Sequence, residues 1–229
     1  MTTRLEGIRA CVFDAYGTLF DFSSAVAREK ARIGERAAAL DALWRRKQLE
    51  YTWLRTLMHR YADFRTVTEA ALRWCMAALA IEDEALVARL MRAYEELDPY
   101  PEVRTTLERL RAADLRTAIL SNGTPAMLER AVAAAGLGGL LDAVWSVDAI
   151  RIYKPDPQVY ERATRGLGLA AREIAFLSAN PWDAHGAASF GLRAVWVNRT
   201  GQPREPLPGE PEAEVRDLAG LLPLLGLEP

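Results

Sequence analysis

The sequence predicts an α/β fold: a doubly wound parallel (Rossmann-like) sheet core with one inserted α-helical block. Three observations lead to this prediction. Short apolar segments rich in β-forming residues alternate with amphipathic helical segments over residues 101–197, which is typical of a parallel sheet with crossover helices. A similar apolar segment at residues 8–13 precedes them. Residues 23–97, between the two parts, carry only helical periodicity.

The first apolar segment, residues 8–13, is short and ends in Asp14-Ala15-Tyr16-Gly17-Thr18. A buried parallel strand followed by a glycine-containing turn has this pattern. We therefore predict that the segment lies inside the sheet and that Asp14 follows its carboxyl end.

Residues 23–97 are predicted to form three helices. Apolar residues recur at three- and four-residue spacings over residues 39–61. Thr66-Val67-Thr68-Glu69 fits a capping box, which predicts that the second helix begins there, and a third helix covers residues 83–97. Because a block of this size can form its own lobe, we predict one domain from residues 1–21 and 98–229 and a helical domain from residues 22–97.

The remaining chain alternates between helix and strand. The predicted helices cover residues 101–113, 125–135, 157–167 and 181–190, and the predicted strands cover residues 115–120, 143–147, 174–177 and 194–197. Residues 202–211 are rich in Pro, Gly and Glu, which predicts a loop before a short helix near residues 215–225. Gly136-Leu137-Gly138-Gly139 resembles a phosphate loop, but it follows a helix, so a helix end and a turn are the favoured interpretation.

The charges nearly balance, with 29 Lys and Arg against 31 Asp and Glu and a formal net charge of −2. Nucleic-acid binding is not expected without a basic excess. No apolar run of about 18 residues occurs, so no membrane span is expected. The first residues lack a signal-type apolar stretch, and Cys11 and Cys75 have the apolar surroundings of reduced thiols, which predicts a cytoplasmic protein.

Histidine and cysteine are scarce, with two of each. Cysteine-rich zinc sites, disulfide frameworks and histidine-rich metal centres are therefore excluded. His59 and His185 each lie in a predicted helix, and no nucleophile-elbow sequence is present, so a Ser-His-Asp triad is not expected. Hydrolytic chemistry would have to come mostly from carboxylates, hydroxyls, Lys and Arg.

Polar residues directly follow four of the predicted strands. They are Asp14, Ser121-Asn122, Asp148 and Ser178-Ala179-Asn180. Because sites in doubly wound sheets lie outside the carboxyl ends of the strands, we expect these residues to converge. Asp14 would be held rigidly and partly desolvated there, and a carboxylate in that setting can be a base, a metal ligand or a nucleophile. The alternative is an Asp that only caps its own turn.

Other polar positions also have both a functional and a structural interpretation. Lys154 is either solvated, as a lone Lys usually is, or a cation that holds Asp14 ionised. Ser121 and Asn122 either bind an anion at a helix N-terminus or cap that helix. Asp183 fits a first-turn acid that complements a helix dipole.

Four motifs together resemble those of the haloacid dehalogenase superfamily. They are Asp14-Ala15-Tyr16-Gly17-Thr18-Leu19-Phe20-Asp21, Leu120-Ser121-Asn122-Gly123, Tyr153-Lys154-Pro155-Asp156-Pro157 and Ser178-Ala179-Asn180-Pro181-Trp182-Asp183. Their order and spacing match across nearly the whole chain. The helical insertion looks like that superfamily's cap domain, and residues 44–55 closely resemble the cap of L-2-haloacid dehalogenases.

The resemblance also separates this chain from the superfamily's magnesium-dependent phosphatases. They carry a second Asp where Tyr16 stands here, and a metal-binding acid where Ser178 stands. A phenol with a pKa of about 10 is a poor proton shuttle at neutral pH. The dehalogenase pattern implies a reaction with no metal and no cofactor. Arg46, where Gln is usual, and Ala179, where Ser is common, depart from that pattern without removing a catalytic group.

The resemblance implies hydrolysis of short (S)-2-haloalkanoic acids to (R)-2-hydroxyalkanoic acids and halide through an ester of Asp14. The implied catalytic residues are Asp14, Thr18, Arg45, Ser121, Asn122, Lys154, Tyr160, Ser178, Asn180 and Asp183. The implied substrate-binding residues are Ala15, Tyr16, Arg45, Leu49, Phe64, Ser121, Asn122 and Trp182. Arg45 and Asn122 would stabilise the leaving halide, and Asn180 and Asp183 would position or activate the water.

Two other functions stay open at this point. One is a magnesium-dependent phosphatase or phosphonatase of the same fold that acts on a small metabolite. The other is a scaffold or protein-binding module whose site has decayed. The apolar faces of the helical block also suggest a homodimer, although a buried core has the same pattern.

Overall fold

The computed structural model describes residues 4–228, and its centre is a six-stranded parallel sheet. Residues 1–3 and 229, the outer ends of the predicted sheet domain, lie outside the described residues. In chain order, the strands are β1 (Ala10–Phe13), β2 (Phe20–Asp21), β3 (Asp98–Pro99), β4 (Arg116–Ser121), β5 (Ala143–Ser146), β6 (Ile174–Ser178), β7 (Arg193–Val197) and β8 (Ala213–Val215). The sheet order is β5-β4-β1-β6-β7-β8, and the short strands β2 and β3 pair with each other.

The central strands are apolar along almost their whole length. Every residue of β1 and β6 is buried, and β4 is buried at every position except Arg116. A parallel strand that is covered on both faces needs such a continuous apolar run instead of alternation. These runs in β1, β4 and β6 confirm the predicted doubly wound α/β fold.

The register aligns the carboxyl ends of the three central strands. Phe13 of β1 lies opposite both Ile119 of β4 and Leu177 of β6. Asp14 therefore leaves the sheet beside the last residues of its two neighbours, Ser121 and Ser178. Three of the four polar segments expected to converge thus start from one edge of the sheet.

The helices fall into two groups along the chain. Those between β2 and β3 are α1 (Ser24–Arg28), α2 (Lys30–Ile33), α3 (Ala37–Leu57), α4 (Phe64–Ala78) and α5 (Glu84–Glu95). Those after β3 are α6 (Val103–Ala112), α7 (Pro125–Ala134), α8 (Pro157–Leu167), α9 (Pro181–Phe190) and α10 (Leu221–Leu224). Short 3₁₀ turns cover Gly34–Arg36, Gly138–Leu140, Val147–Ala149, Ala171–Glu173 and Leu218–Gly220. We call residues 24–95 the helical block.

The helical block is joined to the rest of the chain at one place. In the antiparallel β2–β3 pair, Phe20 lies opposite Pro99 and Asp21 lies opposite Asp98. The chain therefore enters and leaves the block through two adjacent strands. Each strand has only two residues, which is too short for a periodicity signal, and the sequence predicted neither of them.

Helix α3 packs one face into the block and carries polar residues on it. Its buried stripe recurs every four residues from residue 40 and comprises Leu40, Trp44, Gln48 and Thr52. The indole Nε1 of Trp44 donates to the carbonyl oxygen of Thr68 in α4 at 2.9 Å. Residue 48 is thus a polar side chain in the packed interface between α3 and α4.

The predicted start of the second helix is wrong by three residues. Asp63 is the N-cap of α4, and its carboxylate accepts from the backbone N–H of Thr66 at 2.8 Å. The Thr66 hydroxyl also donates to Asp63, at 2.9 Å, so Thr66 lies inside the first turn. Asp and Thr are both good N-caps, and the sequence pattern alone favoured the wrong one.

The C-terminal region differs from the prediction at β8. Residues 213–215 form this edge strand, whereas a helix was expected from residue 215. The alternation of buried and exposed positions is present, but over three residues only. The helical part begins later, at Leu218.

Two smaller predictions can be compared with the backbone. Gly136 follows α7 with φ of +64°, which confirms a helix end at this glycine-rich segment. His59 lies just beyond α3 with φ of +55°, so its predicted place inside a helix is wrong. His185 does lie in α9, where its Nδ1 is 3.2 Å from the carbonyl oxygen of Pro208.

Two further features are the state of the cysteines and the apolar character of the helices. Cys11 and Cys75 are both buried and free. Among the helices described for residues 4–228, none combines the length and the apolar character needed to cross a membrane.

Candidate active site

Asp14 lies directly after β1 with its carboxylate almost fully buried. Lys154 donates from Nζ to Oδ1 at 3.0 Å, and Asn180 donates from Nδ2 to Oδ2 at 2.8 Å. The hydroxyls of Thr18 and Ser178 each lie 3.4 Å from Oδ2. Because most of these donors come from distant parts of the chain, the carboxylate does more than cap its own turn.

The hydroxyls of Thr18 and Ser178 have fixed directions. Thr18 Oγ1 accepts from the backbone N–H of Ala179 at 2.8 Å, and Ser178 Oγ accepts from the backbone N–H of Asn180 at 3.1 Å. Since a backbone N–H can only donate, each hydroxyl keeps its own proton for the nearby Asp14 Oδ2. Both side chains therefore act as donors to one carboxylate oxygen.

Lys154 lies between two carboxylates and is only 1% exposed. Besides Asp14, its Nζ donates to Asp183 Oδ2 at 2.9 Å. Burial alone would lower the pKa of Lys154, but the charges of Asp14 and Asp183 outweigh burial and raise that pKa above its ordinary value. The solvated interpretation of Lys154 is wrong, because the ammonium is charged and enclosed.

Asp183 is the third member of this buried group, in the first turn of α9. The Tyr160 hydroxyl donates to its Oδ1 at 2.8 Å. Burial raises the pKa of Asp183 to about 6, and the neighbouring Lys154 charge works against that rise. A carboxylate with such a pKa can exchange a proton near neutral pH, which suits a general base. Burial, followed by the charge of Asp183, raises the pKa of Tyr160 far above its usual value, so this phenol stays protonated.

Ser121 and Asn122 lie at the end of β4 and do not cap a helix. Thr124 is the N-cap of α7, so the capping interpretation is wrong. The Asn122 Oδ1 accepts from the backbone N–H of Lys154 at 3.1 Å. Because that contact identifies the oxygen, the Asn122 amide N–H groups point elsewhere and are available as donors. Ser121 Oγ accepts from the Gly123 N–H at 3.1 Å, which leaves the Ser121 hydroxyl proton available as well.

Asp148 follows β5 but does not join the Asp14 group. Its carboxylate accepts a short hydrogen bond from the Tyr61 hydroxyl of the helical block. A second contact nearby joins the Tyr153 hydroxyl to the carbonyl oxygen of Ala62 at 2.6 Å. Asp148 therefore helps to hold the helical block against the sheet edge, and its predicted convergence with Asp14 is wrong.

Arg45 reaches from α3 to the sheet edge. Its Nη2 donates to Asn180 Oδ1 at 3.0 Å, and its guanidinium carbon lies 4.9 Å from the centre of the Phe22 ring. Asn180 in turn donates from Nδ2 to Asp14, so one amide connects the arginine to the nucleophile candidate. The next residue, Arg46, is exposed. The structure therefore places Arg45, and not Arg46, in the site.

Aromatic rings cover the same region. Tyr16 stacks on Tyr94 with ring centroids 5.3 Å apart and lies 5.5 Å from Phe64. The Tyr16 hydroxyl is buried and has no hydrogen-bond partner in the described part of the chain. Burial raises the pKa of Tyr16 well above its ordinary value. Tyr16 therefore cannot serve as a proton shuttle at neutral pH.

The three other residues predicted to contact the substrate lie on α3, on α9 and in the turn after β1. Trp182 in α9 packs edge to face against Trp53 of α3, with ring centroids 5.4 Å apart. Leu49 is half-buried on α3. Ala15 is buried in the turn after Asp14, where its carbonyl oxygen accepts the backbone N–H of Leu19 at 2.9 Å. Residues 49 and 53 thus lie on α3, which also carries Arg45, and residue 182 lies on α9, which also carries Asp183.

Sequence reasoning missed three residues that contact Arg45 or Tyr16. Phe22 lies under the Arg45 guanidinium, Tyr94 stacks on Tyr16, and Gln48 accepts from Arg45 Nη1 at 2.8 Å. Only Gln48 had a detectable signal, since its long polar side chain lies on the buried stripe of α3. Phe22 and Tyr94 read as ordinary core residues because only the tertiary structure brings them to the site.

The hydrogen-bond donor shared by the Asp14 and Asp183 carboxylates does not suit a divalent cation between them. Asp14 Oδ1 and Asp183 Oδ2 both accept from the same Lys154 ammonium, so a magnesium ion between them would face that positive charge at close range. Among residues 4–228, no group of three or more His, Cys, Asp or Glu side chains is clustered as a metal site. The donor set around Asp14 instead fits a carboxylate that is held in a fixed position for attack.

Known proteins are similar to this chain in sequence over nearly its full length. The (S)-2-haloacid dehalogenase 4A of Burkholderia cepacia is 47% identical over 222 residues, which is 96% of each chain. (S)-2-haloacid dehalogenase 1 of Pseudomonas sp. strain CBS-3 is 48% identical over 202 residues, covering 88% of this chain and 89% of the relative.

A solved structure of a dehalogenase is also similar to this chain. The L-2-haloacid dehalogenase of Xanthobacter autotrophicus with chloropropionic acid covalently bound superposes with a TM-score of 0.87 at 39% identity, covering 93% of this chain and 96% of that one. A model of the haloacid dehalogenase-like hydrolase family matches residues 8–191. On the strength of that match and of these relatives, the chain belongs to the haloacid dehalogenase-like hydrolase family.

Proposed function

We propose that this chain hydrolyses short (S)-2-haloalkanoic acids to (R)-2-hydroxyalkanoic acids and halide, through an ester of Asp14. The observation that carries this proposal is the Lys154 ammonium between Asp14 and Asp183, at 3.0 and 2.9 Å. Beside this ion pair, the buried side chains of Tyr16 and Ser178 occupy the two positions at which the magnesium-dependent phosphatases carry acids, so the carboxylates that favour a magnesium ion are missing there. The identity to (S)-2-haloacid dehalogenases supports the substrate class.

In the first step, Asp14 acts as a nucleophile. One carboxylate oxygen attacks the Cα of the substrate opposite the carbon–halogen bond, a C–O bond forms, and the halide leaves with the bonding electrons. Attack from the opposite side inverts the configuration at Cα. Lys154 holds one oxygen of Asp14 in place, and Thr18 and Ser178 hold the second one.

This step needs hydrogen-bond donors at two places, the leaving halide and the substrate carboxylate. Arg45 and the free N–H groups of Asn122 would stabilise the charge that develops on the halide. The Ser121 hydroxyl and nearby backbone N–H groups would hold the substrate carboxylate. These donors come from α3 and from the end of β4, on the two sides of the site.

In the second step, water cleaves the ester. Asp183, with a pKa raised to about 6 by burial, takes a proton from the water, and the hydroxide oxygen attacks the carboxyl carbon of Asp14. The bond between that carbon and the ester oxygen then breaks, and the leaving alkoxide takes the proton of the added hydroxyl group. This releases the hydroxy acid and restores the Asp14 carboxylate, and Asp183 returns its proton to water. Because the second step does not touch Cα, the configuration is inverted only once.

The helical block would close the site during this reaction. We propose that residues 22–97 form a cap domain on a core of residues 1–21 and 98–229, in agreement with the β2–β3 pair at the junction. Tyr16, Leu49, Phe64 and Trp182 would line the apolar wall that excludes water from the substrate.

Halide release from (S)-2-chloropropionate tests the proposal, with the (R) enantiomer as the control. We expect chloride from the (S) substrate only, in the presence of EDTA, and no release by Asp14→Asn. Turnover of a phosphate ester that requires Mg²⁺, without halide release, would assign the protein to the phosphatases instead.

We also propose that two copies associate through α3. Its outer end exposes Leu54, Leu57 and Met58 at 43, 76 and 58%. Adjacent exposed apolar side chains of this size mark interaction surfaces, and a symmetric dimer buries the same patch twice. Analytical ultracentrifugation at micromolar concentration should give a dimer and should give a monomer for Leu57→Glu. A wild-type monomer under these conditions contradicts the proposal.

We further propose a cytoplasmic location. Burial raises the pKa of Cys11 to about 12 and that of Cys75 to about 11, so both stay unreactive thiols at neutral pH. Proteins with buried, unpaired cysteines are typical of reducing compartments. Cell fractionation, with the protein followed by antibody, tests this location.

A further inference from the structure

Gln48 is a buried polar residue that contacts the catalytic arginine candidate. It lies one turn after Arg45 on α3 and is 1% exposed. Its amide meets three polar side chains, those of Arg45, Thr68 and Tyr94. Burying an amide costs free energy unless its polar groups form hydrogen bonds. These three contacts offset that cost for Gln48.

The direction of these hydrogen bonds is settled by Thr68. The Thr68 hydroxyl donates to the carbonyl oxygen of Phe64 at 2.6 Å, so its oxygen must accept from Gln48 Nε2 at 2.7 Å. The other end of the Gln48 amide, Oε1, therefore faces Arg45 and accepts from Nη1 at 2.8 Å. Thr68 thus locks the Gln48 amide in the orientation that Arg45 needs.

The chain of hydrogen bonds continues from Arg45 to the nucleophile. Arg45 Nη2 donates to Asn180 Oδ1 at 3.0 Å, and Asn180 Nδ2 donates to Asp14 Oδ2 at 2.8 Å. Gln48 and Asn180 therefore hold the two Nη atoms of Arg45 from opposite sides. Arginine carries five N–H donors, so further donors remain for a ligand.

We propose that Gln48 is a positioning residue, which holds the Arg45 guanidinium where the halide leaves. This inference rests on the proposed function and concerns its first step. A free arginine side chain samples many rotamers, and Arg45 is only half-buried. Gln48 restricts that freedom before the substrate binds, and donors act best on a developing charge when they are already in place.

The experiment measures halide release in a single turnover, with enzyme in excess, for (S)-2-chloropropionate and (S)-2-bromopropionate. Gln48→Met keeps the size of the side chain and removes the amide. We expect this variant to slow chloride release about tenfold or more and bromide release less. Chloride is the poorer leaving group and depends more on stabilisation by Arg45.

Two further variants separate positioning from packing. Thr52→Val changes a buried residue on the same stripe of α3, whose hydroxyl donates only within that helix, to Leu49 O at 2.6 Å. It should leave the chloride-to-bromide ratio unchanged. Gln48→Glu keeps an acceptor for Arg45 and should recover most of the chloride rate that Gln48→Met loses.

Equal losses for the two halides in Gln48→Met, or the same loss in Gln48→Glu and Gln48→Met, would overturn the positioning role. A failure of the proposed function has a different signature. In that case the wild-type protein itself releases no halide from either substrate, whereas the Gln48 proposal is judged by rates relative to a working wild type.

Discussion

The carboxyl edge of the sheet and the inner face of the helical block meet at Asp14, but they hold their polar groups differently. At the sheet edge, Asp14, Lys154 and Asp183 are almost fully buried and joined by hydrogen bonds of 2.9 and 3.0 Å. At the helical face, Arg45 is half-buried, and the Tyr16 hydroxyl among the rings of that face has no partner in the described chain.

The difference reflects how each side is built. The residues of the sheet edge follow directly from strand register, since Phe13 is aligned with Ile119 and Leu177. The residues of the helical face depend on how α3, α4 and α5 pack, and among residues 4–228 their hydrogen bonds lead to Asp14 through Arg45 and Asn180. The nucleophile is therefore placed by the strands themselves, whereas the donor that meets the leaving group is placed by side-chain hydrogen bonds of Arg45.

The largest effect is expected at the sheet edge, from Lys154→Met. Removing the ammonium leaves two carboxylates buried without their shared partner, which should lower the free energy of unfolding by about 3–5 kcal/mol. Halide release should fall about a thousandfold, because Asp14 loses its fixed positive neighbour. Urea denaturation and a halide assay measure the two effects.

A lysine of the helical block provides the matched control. Lys47 pairs with Glu50 on α3 at 2.9 Å, and both side chains are partly exposed. Such pairs contribute about 1 kcal/mol or less, so Lys47→Met should change stability little. Similar losses in the two lysine variants would contradict the view that the buried ammonium of the sheet edge is the more important of the two.

The next effect in size is expected from the two adjacent arginines of α3. Arg45→Ala should slow halide release about a hundredfold, because a donor to the developing halide charge is lost. Arg46→Ala should have a clearly smaller effect, since Arg46 is exposed and Arg45 is the arginine that donates to Asn180. Single-turnover rates for both variants test this, and equal losses would show that the wrong arginine has been placed at the halide.

A smaller effect is expected in the pH profile. Ester hydrolysis needs ionised Asp183, whose pKa burial raises to about 6 while Asp14 is charged; the ester removes that charge, so turnover should fall as the pH drops to or below this value. The Tyr160 hydroxyl donates to Asp183 and favours the ionised form. Tyr160→Phe should therefore raise the Asp183 pKa and move the acid limb of the profile to higher pH. An acid limb that stays in place would remove Asp183 from the role of base.

Much of the sheet edge could be predicted from the sequence. Strand ends leave a direct pattern, an apolar run followed by a polar residue, and this pattern located Asp14, Ser121 and Ser178. It also suggested Asp148, which follows a strand in the same way. The prediction failed there because a partner from the helical block, Tyr61, binds Asp148, and sequence spacing cannot show such a contact.

The helical face could be predicted only in part. Arg45 came from the resemblance of residues 44–55, and no periodicity required it. Phe22 and Tyr94 are separated from their partners by many residues and have no polar signature. A contact set by helix packing is invisible to local patterns, whereas a contact set by strand register is not.

The smallest effect is expected from Tyr16→Phe. The Tyr16 ring stacks on Tyr94 and packs near Phe64, and Phe keeps these contacts. The hydroxyl is buried with no partner in the described chain, so its removal relieves a desolvation cost and should leave stability unchanged or raise it by about 1 kcal/mol. Thermal unfolding measures this change. If the KM for the haloacid rises while stability holds, the phenol donates to the substrate from the turn after β1. If stability falls instead, the hydroxyl has a partner in the folded protein, and the two sides of the site are equally well satisfied.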